Sequence, residues 1–233
     1  MKIAFISDAH GNYLALEEVL LYLKKKMKIS EIYFLGDAVG YMPEGNKVIS
    51  KLKNEAKLCL MGNHEAMMLH LLPVKESAKN IYKLDETQGT ISNENRAFIE
   101  KLLPLNNLKI NNYSVLMVHG SPTDPLNGYL YEDSDFDALP VCNYDFVFMG
   151  HTHRPYILKK ENTTFVNVGS CGLPRDNGSL ASFVVFDSES GQVNLYRLPL
   201  NIDAIVKKYK SVVDKSVIDC FMRANNYNGE LVN

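Results

Sequence analysis

No apolar run in this sequence approaches the roughly twenty consecutive residues that a membrane-crossing helix needs, which excludes a spanning helix. Cysteine is scarce as well. Cys59, Cys142, Cys171 and Cys220 lie far apart and form no CxxC pair, so a zinc ribbon or a thioredoxin-like site is not expected. A dominant charge is also missing: the formal net charge of -2 argues against broad attraction to nucleic acid or to a membrane surface. An anionic substrate remains compatible, because bound cations would reverse the local field. The apolar run at residues 3–6 is too short for a signal peptide and stops at Ser7-Asp8. These absences predict a reduced, cytoplasmic protein with no membrane contact and no stable nucleic-acid partner.

What is present is enough apolar material for a substantial core, 46% hydrophobic residues in a chain of 233. Residues 2–7 (KIAFIS) read as a buried strand, and residues 13–26 follow with Leu16, Val19, Leu20 and Leu23 at helical spacing. A strand at 31–35, a helix at about 44–54 and a strand at 57–61 complete a β-α-β-α-β series, which predicts a layered α/β sheet. The section from 64 to 103 turns helical, with helices expected at 65–72 and 93–103. Strands return at 108–111, 114–118 and 146–149, and the runs 156–160, 163–168, 181–187 and 192–198 look like an antiparallel meander. Residues 202–226 read as one or two helices. The expectation is one domain over residues 1–233, with a helical insertion at about 65–105 and a helical tail at about 201–233.

Of the six histidines, five fall in short motifs with Gly, Asp or Asn. In order, the motifs are Asp8-x-His10, Gly36-Asp37, Gly62-Asn63-His64-Glu65, His119-Gly120 and Gly150-His151-Thr152-His153. Each directly follows an expected strand, and in α/β sheets the loops beyond the carboxyl ends of strands line one crevice. Carboxylate, imidazole and carboxamide together are the ligands of borderline and hard divalent ions. Asp8, His10, Asp37, Asn63, His119, His151 and His153 are too many for one ion with room for substrate; they suit two ions sharing one carboxylate. Manganese is the expected metal, and the mixed O/N set is also compatible with Fe, Zn, Ni or Co.

The series DAH, GD, GNHE, HG and GHTH resembles the pattern DxH, GD, GNH(D/E), H and GHxH of the calcineurin-like metallophosphoesterases. GDAVGY, HGSPTDPLNGYL and NVGSCGLPRD are similar to the small bacterial and archaeal phosphodiesterases of that superfamily, and the likeness spans residues 3 to about 187. It implies a four-layer two-sheet β-sandwich flanked by helices. It further implies that Asp8, His10, Asp37 and His153 hold one metal, and that Asp37, Asn63, His119 and His151 hold the other. His64 would act as general acid or phosphate contact, and a hydroxide bridging the metals would attack phosphorus. Where the protein phosphatases of the superfamily carry arginines in GDxVDRG and RGNHE, this chain reads GDAVGYM and MGNHE, so phosphoprotein phosphatase activity is not implied. Arg175, and after it Arg154, are the remaining cationic candidates, with Asn63 and His64, for contact with a small phosphate-ester substrate.

The expected reaction is therefore hydrolysis of small nucleotide-type phosphodiesters. The alternatives are phosphomonoester or dinucleoside polyphosphate hydrolysis, and a scaffold that has lost the chemistry. Taken singly, each motif has a plainer reading: Gly-Asp is a turn, and Asn63 could simply cap a helix. Glu65 reads as support for that helix start or for a neighbour of the metals, Asp124 as a turn former, and Arg175 as either a substrate contact or a surface ion pair. His70, Met67, Met68 and Cys171 read as packing or surface residues.

Overall fold

The computed structural model describes residues 1–140 and 142–233. The first half builds β1 (Lys2–Ile6), α1 (Tyr13–Lys25), β2 (Glu31–Phe34), α2 (Gly45–Glu55), β3 (Leu58–Cys59) and four short helices, α3 (Asn63–Met68), α4 (Lys79–Tyr82), α5 (Leu84–Thr90) and α6 (Asn93–Ile99). Strands β4 (Leu105–Ile110), β5 (Tyr113–Val118), β6 (Phe146–Met149), β7 (Tyr156–Lys160), β8 (Thr163–Asn167), β9 (Leu180–Asp187) and β10 (Gln192–Pro199) follow. The chain then forms α7 (Ile202–Tyr209), α8 (Lys215–Phe221) and β11 (Glu230–Leu231).

Two mixed sheets form, in the orders β11-β10-β9-β1-β2-β3 and β4-β5-β6-β8-β7. Strands β1, β2 and β3 pair in parallel, as the alternation with helices requires, and so do β5, β6 and β8. Alternate residues of β1 face opposite ways: Ile3 and Phe5 enter the core between the sheets, where Phe5 stacks on Phe148 at 3.8 Å, while Ala4 and Ile6 pack under the helices. Burial on both faces is why residues 3–6 (IAFI) are apolar without interruption, while Lys2 at the strand start is exposed. Helix α1 starts where Asn12 Oδ1 accepts the Ala15 N–H, and Lys24 and Lys25 fill its last turn. The outer face of the second sheet, with Leu116, Val118, Val147 and Met149, is covered by Leu130, Phe136 and Leu139.

Three expectations need correction. The meander does not exist as one sheet: β7 and β8 form a hairpin in the second sheet, whereas β9 and β10 form one in the first, with β9 against β1. Residues 168–179 carry the chain between sheets, and backbone bonds from Cys171 N–H to Ser7 and from Gly172 N–H to Asp8 hold that crossing against the end of β1. The tail is not helical to its end. After α8 the chain extends, and β11 adds in parallel to the edge of β10. The inserted helices are also shorter than their periodicity suggested; α6 stops at Ile99, because Pro104 disfavours helical backbone before it and the Leu103 carbonyl accepts the Met61 N–H instead.

Candidate metal centre

Five loops leave the carboxyl ends of β1, β2, β3, β5 and β6, and they bring Asp8, His10, Asp37, Asn63, His119, His151 and His153 together; all seven are buried. Asp8, His10, Asp37, His151 and His153 hold positive φ between 48° and 65°, a left-handed region that side-chain-bearing residues avoid. Such backbone persists only where the surroundings enforce it, and here backbone bonds do so: His10 N–H donates to the Asp37 carbonyl and Asp8 N–H to that of Gly36, each at 3.0 Å. Two glycines make the close approach possible. A Cβ at Gly62 would fall on Asp37 Oδ1, and one at Gly150 on Ser7 Oγ.

The side chains form two clusters joined by one carboxylate. Asp8, His10 and His153 make the first, Asp37, His119 and His151 the second, and a third grouping, His10, Asp37 and His64, overlaps both. Asp37 Oδ1 accepts the His64 backbone N–H at 2.8 Å, which turns Oδ2 between the clusters, 3.6 Å from His10 Nε2 and 3.4 Å from His119 Nε2. Asn63 Oδ1 lies 3.1 Å from His119 Nε2.

Whether these groups suit cations can be read from their unmet valences. His10 Nδ1 faces the Val39 carbonyl and His153 Nδ1 faces that of Leu173; a carbonyl only accepts, so each ring carries its proton on Nδ1. Their Nε2 lone pairs then confront each other at 2.9 Å, which repels unless a positive charge lies between them. Asp8 Oδ1 and His151 Nε2 are buried with no partner at all. Acceptor atoms stripped of water and aimed at one place are what a divalent ion needs, so the residues fit the group.

Electrostatics agree. Burial by itself would raise the Asp8 and Asp37 pKa values, but His153 beside Asp8 and His119 beside Asp37 outweigh it and hold both carboxyls well below the usual range. Burial lowers His151 to about 3; burial and the Arg175 charge lower His153 to about 4. In His119 burial is overcome by Asp37, and the pKa rises to about 9. Geometry explains this exception: Nδ1 meets the Leu35 carbonyl and Nε2 meets Asn63 Oδ1, two acceptors for two donated protons. The metal-free protein should therefore lose stability on both sides of an optimum near the ordinary histidine value of about 6.5. The contribution of His151 and His153 is complete above that value and is lost as pH falls toward 4 and 3. That of His119 is complete below it and is lost as pH rises to about 9. Thermal midpoints of chelator-treated protein across pH check this, and His119→Ala should flatten the alkaline limb.

Glu65, which reads from the sequence as support for the helix start or for a neighbour of the metals, organises the loops. Its buried carboxylate accepts four backbone N–H groups, from Asp37, Ala38, Val39 and Gly62, at 2.7–3.0 Å. It thereby ties the loop of Asp37 to the loop of Asn63. The Asp8 carboxylate does the same between other loops, because Oδ2 accepts the His151 N–H at 3.0 Å.

The family model described as the calcineurin-like phosphoesterase superfamily domain matches residues 1–191. The chain belongs to that superfamily. An uncharacterized protein of Methanocaldococcus jannaschii is 31% identical over 233 residues, covering 91% of each chain. Two solved structures share the fold. A metallophosphoesterase from Sphaerobacter thermophilus superposes with a TM-score of 0.77 at 24% identity, covering 95% of this chain and 98% of its own. A hypothetical protein from Pyrococcus horikoshii OT3 gives 0.82 at 21%, covering 98% and 99%. Membership of a calcineurin-like phosphoesterase family supports a hydrolase of phosphoric esters that uses divalent metal ions.

Around the clusters, this phosphoesterase arranges residues the motifs did not single out. The His64 ring packs between Tyr41 and Tyr82, at 4.9 and 4.6 Å, and Tyr129 lies 4.0 Å from the His151 ring. Their sequence signal was weak, since tyrosines in loops and short helices are ordinary surface residues. Burial holds His64 neutral, well below its ordinary value and against the pull of Asp37. Arg175 is no surface ion pair: its guanidinium donates to the Tyr41 hydroxyl at 2.9 Å, and its N–H to the His153 carbonyl. Arg154 is exposed. Asp124 forms a turn, accepting the Asn127 N–H, and Cys171 is buried beside the site with its thiol pKa pushed up by burial. His70 stands apart and exposed, in a left-handed residue just past the end of α3, where it contacts Gln88.

Proposed function

We infer that the protein hydrolyses small phosphodiesters of nucleotide type at two divalent cations, with manganese the metal to try first. In this reading Asp8, His10, Asp37 and His153 hold one cation, and Asp37, Asn63, His119 and His151 hold the other. The chain acts as one metallophosphoesterase unit, carrying its inserted helices and its tail, in the cytoplasm. The observation behind it is the placing of Asp37 Oδ2 between two clusters in which Asp8 Oδ1 and His151 Nε2 have no hydrogen-bond partner. Bound there, divalent cations supply Lewis acidity at the phosphoryl oxygens and water activated at about neutral pH.

The chain's own groups do the rest. Arg175 offers a guanidinium beside the site to a phosphoryl oxygen, while Tyr41 fixes its direction. The Asn63 carboxamide nitrogen is free to do likewise. His64 sits neutral among aromatic rings, so it donates a proton only once the negative substrate raises its pKa. A diester carries less charge than a monoester dianion, and a site with one flanking arginine in place of a pair suits it better.

Manganese-loaded protein should release p-nitrophenolate from bis(p-nitrophenyl) phosphate faster than from p-nitrophenyl phosphate. Metal-loaded protein that turns over neither would favour the scaffold reading. His64→Ala should retain its metal and slow hydrolysis of a methyl p-nitrophenyl-type ester little, but that of an alkyl diester by about 10²–10⁴-fold, because only the poor leaving group needs a proton. Equal effects on both esters would remove His64 from that role.

A further inference from the structure

A cavity of about 550 Å³, within the size range of small-molecule pockets, is lined by residues that neighbour the site along the chain. Three of its walls adjoin the metal centre through neighbouring residues. Arg154 follows His153, Asp176 follows Arg175, and Tyr131 stacks on Tyr129 at 5.8 Å, which in turn packs on His151. The fourth wall is the extended stretch at residues 225–228, including Tyr227.

That stretch is fixed from both sides. Ala224 bridges to Asn177, and Asn228 Nδ2 donates to Glu132 at 3.2 Å across the cavity mouth. Beneath it Arg197, wholly buried, donates from both terminal nitrogens to Asp176 and places its guanidinium 5.6 Å from the Tyr227 ring centre. Arg197 Nε has no partner. An internal ion pair is thus spent on holding one carboxylate and one ring at a solvent-facing wall.

The chemistry of the lining narrows the occupant. Two tyrosine rings present faces for stacking, and side-chain amides offer donors and acceptors at the edges. With Asp176 neutralised by Arg197, the carboxylates Glu132 and Asp133 outnumber the single cation Arg154. Such a wall repels a phosphate and suits an uncharged heteroaromatic group rich in N–H and O–H donors. We propose that this cavity is the subsite for the nucleoside part of a nucleotide ester whose phosphoryl group sits at Asp37 and its neighbours. The inference rests on the phosphoesterase reading above for the position of the phosphoryl group.

Calorimetric titration of the manganese-loaded full chain with adenosine 5′-monophosphate and, separately, with inorganic phosphate tests it. The nucleotide should bind at least about tenfold more tightly than phosphate, as one stacked base warrants. Tyr227→Ala and Tyr131→Ala should each weaken nucleotide binding by about tenfold and leave phosphate unchanged, with Tyr227→Phe behaving as wild type. Leu71→Ala, in a separate cavity lined by Met67, His70 and Tyr82, should change neither. Equal affinity for the two ligands, no detectable nucleotide binding, or tyrosine variants that affect both ligands alike would overturn the subsite. Failure of the phosphoesterase reading shows separately, as no turnover of bis(p-nitrophenyl) phosphate by the same preparation.

Discussion

Replacing Asp37 with asparagine should lower kcat/KM on a generic diester by about a thousandfold or more, with the fold intact. Asparagine keeps an oxygen for the His64 N–H and tolerates left-handed backbone better than other side chains, so the change isolates the charge. That charge lies between both clusters, so on the proposed reading its loss would remove a ligand from each cation. It is also what holds His119 protonated in the metal-free state, so the pKa of that ring should drop below about 9 in the variant. Metal content after dialysis, kcat/KM, and the NMR titration of His119 are the measurements. Activity within tenfold of wild type, at normal metal content, would dismiss Asp37 as the shared carboxylate.

Glu65→Gln should be the most destabilising single-atom exchange near the site. The carboxylate accepts four N–H groups through two oxygens, and glutamine must turn an NH2 toward some of them, leaving buried donors facing a donor. Hydrogen bonds to charged groups contribute about 1.5–3 kcal/mol each, so a loss of about 3 kcal/mol follows even after relaxation. In a chain of 233 residues that lowers Tm by about 6–12 °C. Because the bonds fix the loops of both Asp37 and Asn63, manganese affinity should fall with Tm. A variant that melts like wild type would show that Glu65 only starts α3.

The gathering of the candidate ligands was legible because each motif follows an apolar strand closely, and strand ends in a parallel arrangement point to one crevice. Asp8, Asp37, Asn63, His119 and His151 all obey that rule. Glu65 was less legible, since Glu in the first turn of a helix satisfies a local rule by itself. The split of the last four strands between sheets was hidden for a different reason: hairpins of equal quality form whichever sheet receives them, and only the burial of Ala181, Phe183 and Val185 against the helices assigns β9 to the first. Residues 225–228 were expected to belong to the helical tail and are extended instead, because a polar stretch placed by one buried arginine and a few amides carries no periodicity that marks the helix end.

The left-handed backbone at Asp8, His10, Asp37, His151 and His153 has a consequence for how the proposed cations would be admitted. Strain accepted while the chain folds means that the loops arrive already shaped, so little chain entropy remains to be lost when a cation enters. Uptake would then resemble docking into a rigid seat more than folding around a guest, and discrimination between ions of different radius would follow from the seat's unwillingness to resize.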